Sequence, residues 1–289
     1  MNLKIVFILI SLFTLTLAFN CAQAEVSKVS NFKNLKASRI TSYSAAVIDN
    51  ASGELLFGKR ENEKKPVASI TKIIGAYVFL SQNPNLDKNA KMLKGDEVGG
   101  GRLRLPIGTT TKIKNFLYSS LIGSANNSAT ALIRLSGLGK STFINRMNHF
   151  ASEAGADDTN FVDACGISPS NRSTAYELAV LGRKVFENNL ICSISARKTY
   201  SFSINGSKGK KTITHTSAIV KQNSGTFKVM AAKTGYLPEV GNNLIVKLSK
   251  KSNSQAKIII VTFGAKSQSA ASRDITTLAK WAFDNFRWQ

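Results

Sequence analysis

Residues 66–80 read Pro66-Val67-Ala68-Ser69-Ile70-Thr71-Lys72-Ile73-Ile74-Gly75-Ala76-Tyr77-Val78-Phe79-Leu80. Pro66 opens the stretch and an apolar run closes it, which predicts a buried helix over Ile70–Leu80 with Ser69 at its opening. The i, i+3 spacing puts Ser69 and Lys72 on one helical face, within hydrogen-bond reach. A helix N-terminus also turns backbone N–H groups and a positive dipole end towards the serine, where they can stabilise developing negative charge. The Ser-x-x-Lys pattern alone carries little, because it recurs at Ser30/Lys33, Ser195/Lys198, Ser207/Lys210 and Ser254/Lys257. The proline before Ser69 and the apolar run after it set this copy apart.

On the N-terminal side, Tyr43–Asp49 and Glu54–Gly58 flank a Gly-containing turn and read as a β-hairpin. Residues 25–41 read as a polar, basic arm or short helix. Helical spacing follows over Lys112–Ile122, Ala129–Leu135, Thr142–Glu153 and Thr174–Asn188. The pattern then returns to strands at Lys228–Thr234, Asn242–Leu248 and Ala256–Phe263, and an apolar stripe over Ser272–Phe286 predicts a closing helix. Strands at both ends of a helical middle predict an α/β (α+β) fold with one sheet built from both termini. The sheet is expected over about 40–60 and 226–289, and a helical lobe over about 66–196. No repeat or long linker divides residues 25–289, which are expected to form a single domain.

The chain has 289 residues, 43% of them apolar, enough for a substantial core and unlike a disordered chain. Its 39 Lys+Arg against 17 Asp+Glu give a net charge of +22, a balance that first suggests nucleic acid or another polyanion. Residues 1–24 change that reading. A short positive start, an apolar run over Ile5–Phe19 and Ala22-Gln23-Ala24 predict a cleaved signal peptide. The run is short for a membrane span, and Asn20 before Cys21 argues against a lipidated cysteine. An exported protein meets no chromosome, so no nucleic-acid partner is expected, and anionic envelope polymer becomes the partner to consider for the charge. Localisation is expected to be extracytoplasmic, in a periplasm or cell-wall space. The aromatic end, Trp281–Trp288, is expected to dock on the sheet, with at most peripheral membrane contact.

Other motifs fail. Gly139-Lys140-Ser141-Thr142 imitates a P-loop tail, but Arg134 stands where the first glycine belongs, so a turn between helices is expected. His149 and His215 are the only histidines, no Gly-x-Ser-x-Gly turn exists, and a Ser-His-Asp site has no support. The cysteine and histidine counts offer no metal cluster. Cys165 and Cys192 would survive signal cleavage; whether they pair is open.

Two further motifs complete the Ser69 site. Ser124-Ala125-Asn126 falls at a break between helices, and Lys233-Thr234-Gly235, a triplet that occurs once, at the end of a strand. Ser-x-x-Lys, Ser-x-Asn and Lys-Thr-Gly in that order resemble the penicillin-binding proteins and serine β-lactamases. The text around them, notably PVASITKIIGAYVFL, GTTTKIKNFLYSSLIGSANNSATAL and AAKTGYLPEVGNNL, is similar to the low-molecular-mass D-alanyl-D-alanine carboxypeptidases and endopeptidases from about Tyr43 to Phe286. That resemblance implies an antiparallel sheet of about five strands flanked by helices beside a mostly helical lobe. It implies Ser69 as nucleophile, Lys72 as general base and Ser124 as proton relay bridging the two lysines. Asn126 would hold Lys72 and the substrate amide, Lys233 and Thr234 would bind the anionic end of the substrate, and Gly235 would let the substrate backbone approach. The N–H groups of Ser69 and Tyr236 would form the oxyanion hole. Peptidoglycan peptides are the implied substrate, β-lactams the covalent inhibitors, and no cofactor or metal is needed. Cys165 before Gly166 and His215-Thr216-Ser217 depart from the family's usual text.

Two alternatives remain. A class A β-lactamase would deacylate with a Glu on the loop after Ser-x-Asn, yet Asp157–Asn171 contains none. A non-catalytic basic wall-binding protein would need neither Ser69, Lys72 nor Lys233. The short stretch after Gly235 favours the endopeptidase branch over carboxypeptidases with a second domain.

Overall fold

The computed structural model describes residues 25–204, 209–221 and 225–288. The expected signal peptide, with Cys21, lies outside them.

In chain order the elements begin with β1 (Val26–Lys28), β2 (Ser44–Asp49), β3 (Leu55–Lys59) and β4 (Lys65–Pro66). A 3₁₀ turn, Ala68–Ile70, leads into α1 (Thr71–Leu80). Next come β5 (Asn89–Lys91), β6 (Thr110–Lys112), α2 (Ile113–Ile122), α3 (Asn126–Leu135) and α4 (Lys140–Glu153). They are followed by β7 (Arg172–Ser173), α5 (Ala175–Val185), α6 (Asn189–Ser195), β8 (Thr199–Ser203), β9 (Lys210–Thr214) and α7 (Ala218–Lys221). The chain closes through β10 (Phe227–Leu237), β11 (Gly241–Lys250), β12 (Asn253–Ala265), α8 (Gln268–Asn285) and β13 (Phe286–Trp288).

The five-stranded antiparallel sheet runs β10-β11-β12-β2-β3, so strands from the two ends of the chain meet where β12 pairs with β2. Both faces are covered. Ala46, Ile48, Ile245, Ile259 and Val261 pack against the helical lobe. Ala45, Val47, Leu244, Val246 and Ile260 pack under α8. Burial on both sides explains why β12 carries the unbroken run Ile258-Ile259-Ile260-Val261 instead of alternating polar residues.

The polar arm does not form a helix along its length: β1 pairs with β13, and only Ala37–Arg39 makes a 3₁₀ turn. The carboxylate of Asp274 on α8 accepts from the backbone N–H groups and hydroxyls of Thr41 and Ser42 at 2.6–3.0 Å. The aromatic end docks internally, with Trp281 and Phe286 edge-on to Phe32 and Trp288 donating to Asp49 at 2.6 Å. Gly139, at φ 72°, starts α4, as expected of a turn rather than a P-loop. The β8–β9 hairpin, missed in the sequence, alternates mostly exposed polar residues with buried Phe202 and Ile213, too short a pattern to stand out.

Candidate active site

Ser69 sits at a strained turn. Ala68, fully buried, adopts a left-handed φ of 55°, a conformation that costs a residue with a side chain about 1 kcal/mol. Neighbours hold the turn in place. Asn243 on β11 donates its amide to the carbonyl of Pro66 at 2.9 Å, while its Oδ1 accepts from Gly264 N–H at 3.1 Å. Thr71 Oγ1 donates to Ala68 O at 2.8 Å and accepts from Asn171 Nδ2 at 3.1 Å.

Two glycines allow the close approach. A Cβ on Gly235 would lie 2.9 Å from Val67 O and 3.0 Å from Ala68 Cβ. Gly235 therefore lets strand β10 itself approach the Ser69 turn, besides any substrate. A Cβ on Gly166 would fall 1.8 Å from Ala68 O. The loop bearing Gly166 is organised by Asp163, whose carboxylate accepts from the N–H groups of Cys165, Gly166 and Ser168 at 2.7, 2.6 and 2.9 Å.

Lys72, 1% exposed, donates to Ser69 Oγ at 2.7 Å and to the carbonyl of Cys165. Burial lowers its pKa to about 8, against smaller opposing pulls from Cys165 and Asp163. Lys233 is fully buried and donates to Ser124 Oγ and Thr234 O at 2.7 and 2.8 Å. Burial and then the neighbouring Lys72 push its pKa well below the usual lysine value. Two ammonium groups in one dry site disfavour each other, which keeps a neutral amine within reach.

The expected bridge is half closed, since Ser124 bonds Lys233 but no hydrogen bond joins it to Lys72. Ser124 is held at φ 57° between α2 and α3. Asn126 also departs from expectation. Its amide donates to Gly99 O at 2.9 Å and its backbone N–H to Gly101 O at 2.7 Å, so it pins the Val98–Gly101 strap rather than Lys72. Lys233 lies inside β10, which continues to Leu237 and does not end at the triplet.

Thr234 Oγ1 lies 2.6 Å from Thr216 Oγ1, a neighbour that the sequence marked only as a departure. His215, with no exposed surface, accepts from Ser217 N–H through Nδ1 at 2.9 Å. Burial first, then Lys233, lowers its pKa to about 4, so it is neutral near pH 7 and packs behind the strand. Cys165 and Cys192 are both free thiols. Cys165 Sγ rests 3.4 Å from Thr130 Oγ1 and from Asn126 O.

These groups open on a cleft of about 450 Å³ lined by Ser69, Ser124, Asn126, Thr234, Gly235 and Tyr236, among others. Tyr236 is 59% exposed at its mouth. Strand β10 is the sheet edge here, the position at which an extended peptide can add to a sheet. The described residues contain no group of three or more His, Cys, Asp or Glu placed to hold a metal.

A hydroxyl against a buried amine, beside a second lysine–serine pair in a peptide-sized cleft, is equipment for acyl transfer. The sequence profile described as D-alanyl-D-alanine carboxypeptidase, peptidase family S11, matches residues 31–267. The chain belongs to this family. A D-alanyl-D-alanine endopeptidase of Haemophilus influenzae is 31% identical over 205 residues, covering 70% of this chain and 68% of that protein. A Pseudomonas aeruginosa protein of the same description is 28% identical over 94% of this chain and 87% of its own length. A D-alanyl-D-alanine carboxypeptidase of Bacillus subtilis is 27% identical over 84% of this chain, which spans 62% of that protein. Among solved structures, the Streptomyces K15 DD-transpeptidase shares the fold at a TM-score of 0.77 and 24% identity, over 85% of this chain and 98% of that one. Membership makes the chain a serine DD-peptidase and sets aside the non-catalytic wall-binding alternative.

Proposed function

We propose that the protein is penicillin-sensitive and acts on D-Ala-containing peptidoglycan stem peptides through an acyl-enzyme on Ser69. The observation that carries this reading is the pair of contacts Lys72–Ser69 and Lys233–Ser124, each 2.7 Å, facing one cleft. Neutral Lys72 takes the Ser69 proton as Oγ attacks the D-Ala carbonyl. The N–H groups of Ser69 and Tyr236 hold the oxyanion. The C–N bond then breaks: Ser124 gives its hydroxyl proton to the departing amine and regains one from protonated Lys72, which leaves Lys72 neutral for the next step. Water attacks the ester with Lys72 again as base and frees Ser69. Lys233 and Thr234, with Thr216 beside it, bind the anionic end of the substrate, and Asn126 binds the substrate amide.

The loop 157–171 has no Glu to drive rapid β-lactam deacylation, and its Asp163 carboxylate is occupied by backbone N–H groups, which separates this reading from a class A β-lactamase. Cleavage of D-Ala–diaminopimelate cross-links is favoured over carboxypeptidase action, in keeping with three endopeptidases that this chain matches over more than two thirds of their length. The work lies outside the cytoplasm, in wall remodelling, a reading supported by the signal-peptide pattern of residues 1–24.

A fluorescent penicillin should label the protein covalently, with the adduct on Ser69 by mass spectrometry and no label on Ser69→Ala. Digestion of cross-linked and uncross-linked wall peptides then separates endopeptidase from carboxypeptidase. Fast turnover of penicillin, or label that persists in Ser69→Ala, would overturn the proposal.

A further inference from the structure

The strap that Asn126 pins continues into a segment with two arginines that have no ion-pair partner among the described residues. Gly99 and Gly101 are bonded to Asn126, and Gly99, Gly100 and Gly101 all line the cleft. Two residues further on, Leu103 is clamped to α3: its N–H donates to Asn127 Oδ1 at 2.9 Å and its carbonyl accepts from Asn127 Nδ2 at 3.0 Å. Leu103 and Leu105 are buried, 4% and 6% exposed, and the Leu105 N–H closes a tight turn on the Leu103 carbonyl at 2.9 Å, so the two leucines anchor the segment on either side of Arg104. Both arginines are exposed.

Neither guanidinium has a carboxylate within ion-pair distance among the described residues. Arg134, on the helix to which the strap is clamped, shows the contrast, being held by Asp96 at 3.1 and 2.8 Å. Arg102 follows directly on cleft-lining Gly101, while the opposite walls, Ile167 and Tyr236, are exposed and carry no charge.

We infer that Arg102 and Arg104 are specificity-determining residues that recognise side carboxylates of an acidic peptide lying along the Val98–Gly101 wall, upstream of the bond to be cut. This rests on the DD-peptidase reading of the cleft and names the chemistry of its acyl-donor side. A guanidinium presents a planar pair of donors that matches a carboxylate. The clamp on the Leu103 backbone leaves less segment entropy to lose when the peptide binds.

The test uses a wall stem peptide with free side carboxylates and its carboxamide counterpart. Binding is measured calorimetrically to Ser69→Ala, with and without Arg102→Gln and Arg104→Gln, so the measurement needs no turnover. Both arginine side chains are exposed, and the glutamine variants should fold as the parent does. The parent should bind the acidic peptide about tenfold more tightly, with a preference that shrinks as salt rises, and the double variant should bind both peptides alike. Benzylpenicillin acylation in the Ser69-containing double variant should match that of the wild type. Equal binding of the two peptides by the parent, or a preference that survives the double substitution, overturns the inference. Absence of penicillin acylation in the wild type instead overturns the DD-peptidase reading, whatever the binding shows.

Discussion

The acylation rate should depend on pH through Lys72. Its pKa of about 8 is that of a base lowered in the folded site, so the neutral form dominates above pH 8 and is lost as pH falls through it. The neutral fraction is about one-tenth at pH 7, one-half at pH 8 and nine-tenths at pH 9, a rise of roughly tenfold; at the ordinary lysine value it would be about 0.03% at pH 7. Burial therefore raises the supply of base several hundredfold at pH 7, on the order of 3 kcal/mol. The assay is the second-order rate of acylation by a fluorescent penicillin from pH 6 to 9.5, with circular dichroism checking the fold at each pH. Asp163→Asn supplies the control. Asp163 pulls the Lys72 value upward, so losing its charge should move the midpoint to lower pH. A flat profile, a midpoint at the ordinary lysine value, or a shift to higher pH in Asp163→Asn would refute the base assignment.

Gly235→Ala should slow acylation about a hundredfold with little loss of overall structure, because its Cβ meets Val67 O and Ala68 Cβ and displaces β10 from Ser69. Penicillin-labelling kinetics and a melting curve separate the two effects. Asn243→Ala removes the donor to Pro66 O in a fully buried position and should cost about 1–3 kcal/mol by denaturant titration. Asp274→Ala strips four hydrogen bonds from Thr41 and Ser42 and should cost about 3–5 kcal/mol. Thiol titration of the native protein should find both Cys165 and Cys192 reduced, with buried Cys165 reacting only after denaturation.

Helix α1 and strand β12 were legible because their apolar runs are long and their surroundings bury every face. Ser69, Lys72 and Lys233 were legible because their three motifs stand in the order of the family that the chain resembles, each placed at the end of a predicted element. Asn243 was not legible: it acts on Pro66 across 177 positions, and an asparagine in a strand carries no local mark of that bond. Asp163 reads as an ordinary loop residue until the fold curls four N–H groups around it. Asn126 was identified, but its partner was not, because the glycine strap that occupies it has no periodicity to place it. His215 sat in a polar stretch whose burial depends on the contact between α6 and β10.

The pairing of β12 with β2 also has a consequence in time. Ser69 lies early in the chain and Lys233 late, and β10 reaches the rest of the sheet only through β11 and β12. Joining Ile258 to Asp49 closes a very long loop, an entropic step that slows folding relative to local helix formation. During vectorial emergence of the chain, the Ser69–Lys72 segment appears long before β10 exists to bring Lys233 beside it. The nucleophile is thus made before its partner, and the enzyme stays inert until the final hairpin docks.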